Sequence, residues 1–474
     1  MRDQSKEAVM NEFEKRAKKP FGIADKIGYA AGDFANDLTF VIVALFMLKF
    51  YTDIMSVPAV LVGILMMLGK FVDAFTDVAM GQIVDRSSYT AKGKFTPWIR
   101  RFMGPVAVAC FLIFAPYMAG ASMGVKVAWM AVTYILWGSV CYTGVNIPYG
   151  SMASAMTEDP NQRQQLSTWR NIGATVAQIV IVAVLPLIVY QTDAQGHQVL
   201  SGGHMMAAAG VCCVLAVLVY IVCYALSTER VKIETKKEEQ KNILQIFGML
   251  FTNRAFVGIM SSALVLLLTQ LTWSGMWSYV YPNYFNDKTF MSIGGFVNNI
   301  VVLLLATVIS KVTSITGKKE IAVVGAAFSA VMLFVTYALQ VKSPLVFMIL
   351  AAVTYVGLAL FNLVCWAMII DVIDDVEIRT GSRNDGTVYS VYSFARKLGQ
   401  GLATGLTGWL ISLVGYSKET AFDPSVTQGI YNLGTLVPAI GFLVMALLLF
   451  FIYPLSKKKV LENNAELKKR HAMR

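Results

Sequence analysis

The sequence predicts an all-α polytopic membrane protein whose twelve transmembrane helices form two six-helix bundles. Composition is the first sign. Of the 474 residues 56% are hydrophobic and the mean hydropathy is +0.59, well above soluble domains, whose apolar content including Gly is about 45–50%. The second is the spacing of apolar runs. A helix needs roughly 20 residues to cross a hydrocarbon core, and twelve runs qualify, at about 24–52, 57–84, 100–120, 125–155, 165–190, 205–227, 247–285, 291–312, 320–340, 344–374, 387–415 and 428–455. The third is charge placement. Of 40 Lys and Arg, thirty lie in the two tails and alternate connections, six lie within spans, and only Lys126, Lys288, Lys342 and Lys418 lie in the opposite connections. That is the positive-inside pattern of an even number of spans with both termini cytoplasmic, in an inner (cytoplasmic) membrane. The net charge of +11 thus reports topology and not nucleic-acid binding.

Residues 1–26 read as a charged, solvated cytoplasmic tail, without the short apolar core and small-residue cleavage site of a secretory signal. Residues 27–227 form the N-terminal bundle, 228–244 a charged connecting loop, 245–456 the C-terminal bundle and 457–474 a cytoplasmic tail. The basic loop after the second span, with Lys92-Gly93-Lys94, is echoed six spans later by Thr316-Gly317-Lys318-Lys319. That suggests a duplicated unit, and parallel repeats flanking a midplane site are a transporter architecture.

The first span carries Asp33 and Asp37 one turn apart. Asp33 reads as an interfacial group, whereas Asp37 is deeper, where a carboxylate can accept hydrogen bonds from polyol hydroxyls. In the second span Lys70, Asp73 and Asp77 fall at i, i+3 and i+7 and share a face. A charge at the bilayer centre costs roughly 2.5–3.5 kcal/mol, so three on one face are either a self-neutralising ion-pair set or an oxygen site for a cation in a pathway. Thr76 and Thr143 are candidate further oxygens. The fourth span holds Tyr142, Thr143 and Asn146 before Pro148, neutral groups that suit a cation shell, a polyol or interhelical hydrogen bonds. Arg170 enters the fifth span with a fork that fits carboxylates and vicinal hydroxyls. Trp273, Trp277 and Tyr281 recur at helical spacing in the seventh; such faces can stack on a pyranose, but the stripe reads first as packing or an interface belt.

Asp85 and Arg86 after the second span, and Asp371, Asp374 and Glu377 near Arg383 after the tenth, read as a cytoplasmic gate of ion pairs, with a solvated helix end as the alternative. Lys397 lies about ten residues inside the eleventh span, with Ser393 one turn before it; an intramembrane cation marks a pathway candidate. The six Cys lie in apolar helices and read as small core residues, and the three His lie outside the spans, which excludes a histidine relay inside the membrane. No phosphate-binding loop, nucleophile elbow or metal-spaced His/Cys set occurs, so the chain reads as no enzyme, with no cofactor, and any uphill transport must draw on an ion gradient.

Asp73-x-x-Thr76-Asp77, Gly93-Lys94-Phe95-x-Pro97-Trp98, Asn146-Ile147-Pro148-Tyr149 and Tyr389-Ser390 through Arg396-Lys397 together resemble the glycoside–pentoside–hexuronide:cation symporters over residues 22 to 457. This family includes melibiose permeases and glucuronide carriers. The resemblance implies the major facilitator fold and sugar–cation symport into the cell by alternating access. It assigns Asp73, Asp77 and Thr143 to the cation site. Asp37, Tyr142, Asn146 and Arg170 fall to the sugar site of the N-terminal half, with Lys397 matching a lysine of helix 11. The implied partners are a small sugar, a coupling cation (H⁺ or Na⁺, with Li⁺ also open) and lipid, and the functional unit is a monomer. Asn146 and Gly150 stand where melibiose permeases have Asp and Trp, and Asn36 and Thr76 where they have Lys and Asn. Asp37 stands where a glucuronide carrier has Asn, and a carboxylate there repels a hexuronate. A neutral glycoside, oligosaccharide or pentoside is therefore the expected cargo. The alternatives are a carrier of the same fold for a lipophilic or lipid substrate, which Asp37, Arg170 and Lys397 oppose, and a non-transporting membrane sensor.

Overall fold

The structure is a computed structural model that describes residues 2–232, 252–381 and 385–472. Arg383 lies outside the described residues. A short helix α1 (Arg2–Ala17) precedes the long helices α2 (Ile23–Asp53), α3 (Ala59–Arg86) and α4 (Thr96–Ile113). The next span is composite: α5 (Met123–Ile135), a π-helical segment (Leu136–Tyr142) and α6 (Thr143–Met156). Then come α7 (Pro160–Val189), strands β1 (Tyr190–Thr192) and β2 (Gln198–Leu200), and α8 (Gly202–Leu226). The second half holds α9 (Arg254–Tyr279), α10 (Lys288–Thr316), α11 (Lys318–Leu339), α12 (Pro344–Thr380), α13 (Asp385–Leu413), α14 (Pro424–Leu447) and α15 (Lys457–Ala472). The chain divides into two compact units, Met1–Lys237 and Glu238–Arg474.

Helix starts follow the sequence. Asp159 caps α7 through Asn161 N (2.8 Å), with Pro160 at the first helical position. Asp287 caps α10 through Thr289 N (2.8 Å), and Asn253 caps α9 through Ala255 N (2.8 Å). Among the described residues eleven spans are long and apolar enough to cross a membrane. The expected twelfth, α13, is 29 residues long but is diluted by Arg396, Lys397, Gln400 and several glycines. It is a polar helix and not a short one.

Each unit packs in the same order. In the first, α2 packs on α7 and α8, α4 on α8 and α6, and α3 on α5, the π segment and α6. In the second, α9 packs on α13 and α14, α11 on α14 and α12, and α10 on α12. Six helices in one unit thus have six counterparts in the other, which is the duplication suggested by the loop echo. One close crossing in the second unit joins α11 and α12. A Cβ on Gly325 would lie 2.6 Å from the Gly357 carbonyl oxygen, and one on Gly357 would collide with that of Gly325; the backbones meet where both residues lack a side chain.

The all-α class holds, and one short antiparallel hairpin, β1 with β2, joins α7 to α8. Asp193 closes its turn by accepting from Gln195 N (2.9 Å) and His197 N (2.8 Å), with Gly196 at φ +83°. The N-terminal tail is not simply solvated: α1 buries Phe13 edge-on against Tyr89, with ring centroids 5.5 Å apart. The C-terminal tail is also a docked helix, in which Asn463 donates to buried Asp375 at 3.2 Å and Arg470 to the Ile378 carbonyl at 2.9 Å.

The segment after α8 ties one end of the first bundle together. The Glu229 carboxylate, 1% exposed, accepts from Lys94 N (2.7 Å), Phe95 N (2.9 Å), Thr96 N (2.7 Å) and Thr96 Oγ1 (2.7 Å). These amides open α4, where unsatisfied N–H groups and the helix dipole favour an anion. Gly93 explains part of the loop motif: it sits at φ +111°, and a Cβ there would run into the Glu229 carboxylate. Arg230 forks onto Asp25 of α2 (3.1 and 2.8 Å), and its guanidinium also reaches the Met156 carbonyl that ends α6 (3.3 Å). The ends of α2, α4, α6 and α8 are thereby fixed, and with them the register of the polar residues mid-bundle.

Candidate functional site

The polar centre of the first unit is built where α3 meets the π segment. A π turn holds an extra residue and is often found at functional sites. Here it carries Ser139, and Thr143 follows at the start of α6. Ser139 Oγ donates to Asp73 Oδ1 at 2.5 Å, and Thr143 Oγ1 donates to Asp77 Oδ1 at 2.7 Å, with the Gly138 carbonyl 3.2 Å from the same hydroxyl. Two carboxylates one turn apart on α3 thus meet two hydroxyls one turn apart on the facing segment. Gly138 permits the approach, since a Cβ there would stand 3.1 Å from Asp73 Oδ1.

Lys70 completes the face. Its Nζ lies 2.9 Å from Asp73 Oδ2 and over the rings of Phe40, Trp137 and Tyr134. Thr76 does not join the carboxylates: its hydroxyl donates to the Asp73 carbonyl of its own helix at 3.2 Å. Of the four expected cation-site residues the structure brings together Asp73, Asp77 and Thr143. Ser139 was missed, because straight α-helical spacing does not show how a π turn rotates it toward α3.

The expected sugar residues of this unit line α2, α6 and α7. Asp37, half-buried, receives a long hydrogen bond from Gln178 Nε2 at 3.5 Å. Tyr142 packs its ring against Phe40 of α2 (5.7 Å) and Trp137 of the π segment (5.5 Å). Asn146 is half-buried one turn further along α6. Arg170 lies against Asp33, with Nε 3.2 Å from Oδ1, and over the Tyr149 ring at 5.5 Å. Asp33, which the sequence suggested as an interfacial group, is packed inward: it is 8% exposed and holds the arginine. Asn36 is also interior and accepts from Tyr220 of α8 at 2.6 Å. Gly150 is exposed, with nothing within 4 Å of where a Cβ would stand.

In the second unit Ser393 and Lys397 are half-buried on α13. The neighbouring Arg396 lies 5.2 Å from the Trp366 ring. Of the expected gate residues, Asp371 pairs with Lys318 at 2.7 Å, and next to them Arg379 pairs with Asp375 at 2.7 Å; Arg383, the expected loop partner, lies outside the described residues. Asp375, 2% exposed, also accepts from Asn253 and Asn463 at 3.2 Å each and is the organising acid that the sequence reading passed over. Glu377 is buried and Asp374 half-buried, while Asp85 and Arg86 are exposed at the end of α3. Among the described residues no group of three or more His, Cys, Asp or Glu is placed to hold a metal ion.

Comparison with known proteins agrees with this architecture. The sequence profile of the family described as MFS/sugar transport protein matches residues 28–457. A glucuronide carrier protein homolog of Escherichia coli is 30% identical over 94% of this chain and 95% of its own length. An uncharacterized symporter, YjmB, of Bacillus subtilis is 28% identical over 95% of each chain. Among solved structures, a D-xylose–proton symporter superposes with a TM-score of 0.61 at 13% identity, covering 92% of this chain and 97% of that one. The nucleoside transporter NupG, in a point-mutant form, gives 0.63 at 12% identity over 90% and 100%. At such identities the likeness establishes the fold, and the two sequence matches establish kinship. This chain is a multi-pass membrane protein of the MFS/sugar transport protein family, in its glycoside–pentoside–hexuronide branch.

Proposed function

We propose that the protein is a cation-coupled sugar symporter that imports its substrate by alternating access across the cytoplasmic membrane, with both termini cytoplasmic. The observation that carries this reading is the pairing of Asp73 with Ser139 and of Asp77 with Thr143 across α3 and the π segment. Two carboxylates with converging hydroxyls, at mid-span in a sugar-transport fold, form a site where a cation can be held and released. The coupling ion is H⁺, Na⁺ or Li⁺, and no further cofactor takes part.

Asp37, Tyr142, Asn146 and Arg170 are the sugar-facing residues of the first unit, and Ser393 and Lys397 those of the second. Asp37 favours a neutral glycoside, oligosaccharide or pentoside. Relatives named for other cargo or direction set the control panel. One Salmonella typhimurium protein, 31% identical over 94% of this chain, is named as a putative sulfoquinovose importer. One Escherichia coli protein, 28% identical over 92%, is named as a putative exporter of 2,3-dihydroxypropane-1-sulfonate.

The experiment is counterflow in proteoliposomes with labelled neutral glycosides, pentosides, glucuronides and sulfonated sugars, repeated under imposed H⁺, Na⁺ and Li⁺ gradients. A neutral sugar exchanging without a gradient and accumulating with one supports the reading. Exchange of anionic sugars alone overturns the substrate class, and no exchange of any sugar overturns the transport assignment.

A further inference from the structure

The corner occupied by Lys70 is more than an ion pair. Nζ lies 5.2 Å from the centroid of the Phe40 ring, 5.7 Å from that of Trp137 and 5.9 Å from that of Tyr134. These rings pack on one another, with Tyr134 and Trp137 at 5.8 Å and Phe40 and Trp137 at 6.4 Å. Aromatic faces around a cation with an anion at one side make the chemistry that recognises ammonium groups. Here the ammonium belongs to the chain. It takes Asp73 Oδ2 at 2.9 Å, while Ser139 takes Oδ1 at 2.5 Å. Both oxygens of Asp73 are engaged from within the bundle. Asp77, one turn on, is engaged by Thr143 from α6. The titratable groups that face Lys70 are Asp73 on its own helix and Tyr134 on α5; Tyr142 on the π segment lies within electrostatic reach of Asp73 and also of Asp33 and Asp37 on α2 and Arg170 on α7.

We propose that Lys70 is a tethered cation that fills the Asp73 half of the site and excludes Na⁺ and Li⁺, leaving H⁺ as the coupling ion. This rests on the reading of Asp73 and Asp77 as the cation site. An alkali-metal ion needs several oxygens at once. Entering between the two carboxylates, it would lose Asp73 to the ammonium and sit against a like charge. The rings hold the ammonium in place, because leaving them forfeits three cation–π contacts. A proton needs one carboxylate only. Ser139 reinforces the exclusion by donating to the one Asp73 oxygen that Lys70 does not hold.

The test is direct ion binding to the purified full chain. Trp137 stands beside the ammonium and reports through its fluorescence. NaCl and LiCl are titrated against choline chloride at constant ionic strength, and thermal unfolding is followed in the same salts. The wild type should show no saturable response to either ion up to about 100 mM and no ion-specific change in Tm. Lys70→Met removes the charge but keeps a long apolar side chain in the ring box. It should gain a saturable Na⁺ response and a Tm that rises by several degrees with Na⁺, as a ligand that binds only the folded state requires. Lys70→Arg, which keeps a cation, should stay silent. A saturable Na⁺ or Li⁺ response in the wild type overturns the proposal, as does a folded Lys70→Met silent to both ions. Should Lys70→Met fail to fold in every salt, Lys70→Gln carries the same arm, and the wild-type titration decides in either case. Sugar counterflow without an ion gradient, run in parallel, tests the transport reading separately. Intact exchange with a Na⁺-responsive wild type removes only the tethered cation, whereas absent exchange removes the transport reading.

Discussion

Thr143 Oγ1 donates to Asp77 Oδ1 across 2.7 Å, from the first residue of α6 to the middle of α3. Its backbone position is set by the π segment immediately before it, so this hydroxyl depends on an irregular turn and not only on the residue itself. Thr143→Val keeps the β-branched shape and deletes the donor. One hydrogen bond to a charged group contributes about 1.5–3 kcal/mol. A hydroxyl that donates to Asp77 favours the carboxylate over the protonated acid, so with H⁺ as the coupling ion the cation stimulation of sugar uptake in Thr143→Val should reach half-maximum at roughly tenfold lower H⁺, while ion-independent exchange stays near wild type. An unchanged ion requirement would take Thr143 out of the site.

Asp37→Ala should weaken sugar binding sharply while the protein stays folded. The hydrogen bond that Asp37 accepts from Gln178 is long, at 3.5 Å, so its loss costs the fold little. Charge-assisted hydrogen bonds to sugar hydroxyls at about 1.5–3 kcal/mol predict a loss of roughly ten- to hundredfold in affinity. Calorimetry on the purified variant measures it, and wild-type affinity would remove Asp37 from the sugar site.

Glu229 and Gly93 should be coupled. Glu229→Ala strips the start of α4 of its anion and leaves three amides and a hydroxyl short of an acceptor, a loss of about 2 kcal/mol or more. Gly93→Ala forces a Cβ into the Glu229 carboxylate at positive φ, costing about 1–3 kcal/mol. Because the collision is with the Glu229 side chain, the double variant should be more stable than the sum of the single effects predicts. Strict additivity in thermal unfolding would mean that the strap and the loop act independently.

The same carboxyl sets a pH dependence. Burial pushes the Glu229 carboxyl above its ordinary value, against the pull of its hydrogen bonds from Thr96, Lys94 and Phe95. The folded chain then holds that proton more tightly than the unfolded chain. The protonation-linked contribution is fully present below the ordinary carboxyl value and is lost as pH rises through the raised folded value. Wild type should therefore lose stability relative to Glu229→Gln as pH climbs through the acidic range and hold a constant offset beyond it. A difference that instead grows in favour of wild type over that interval would show that the hydrogen bonds outweigh burial.

Sidedness is tested with single cysteines in a cysteine-free background. Gln195 in the β1–β2 hairpin and Lys458 in α15 are both exposed. An impermeant thiol reagent applied to intact cells should label Gln195→Cys and spare Lys458→Cys. Equal labelling from outside would refute an even number of spans with cytoplasmic ends.

Periodicity and charge made the bundle legible, because a bilayer leaves a chain few ways to satisfy its backbone except by apolar helices. The i, i+4 spacing of Asp73 and Asp77 was legible for the same reason. Partners between helices were not. Glu229 lies 133 residues from Thr96, and nothing local in the sequence points from one to the other. Ser139 was hidden by the π turn, and nothing local in the sequence pairs Asp33 with Arg170. Asp375 was passed over for Asp371 and Asp374, since helical spacing alone does not say which acid turns inward toward Asn253 and Asn463. The N-terminal tail looked solvated by charge, yet the single residue Phe13 docks it.

The central claim is that Asp73 and Asp77 couple the cation to the sugar. Coupling is reciprocal, and about 1–3 kcal/mol of it would raise sugar affinity several-fold when the cation binds. The most direct measurement is uphill sugar accumulation in proteoliposomes under an imposed ion gradient, made on Asp73→Asn and on Asp77→Asn beside gradient-free exchange. Both variants should lose accumulation, and at least one should keep exchange, because Asp37, Arg170 and the other sugar-facing residues lie on other helices. Accumulation by both variants at the wild-type level, with the wild-type ion dependence, would contradict the account and leave Lys70, Asp73 and Asp77 as a structural ion-pair set.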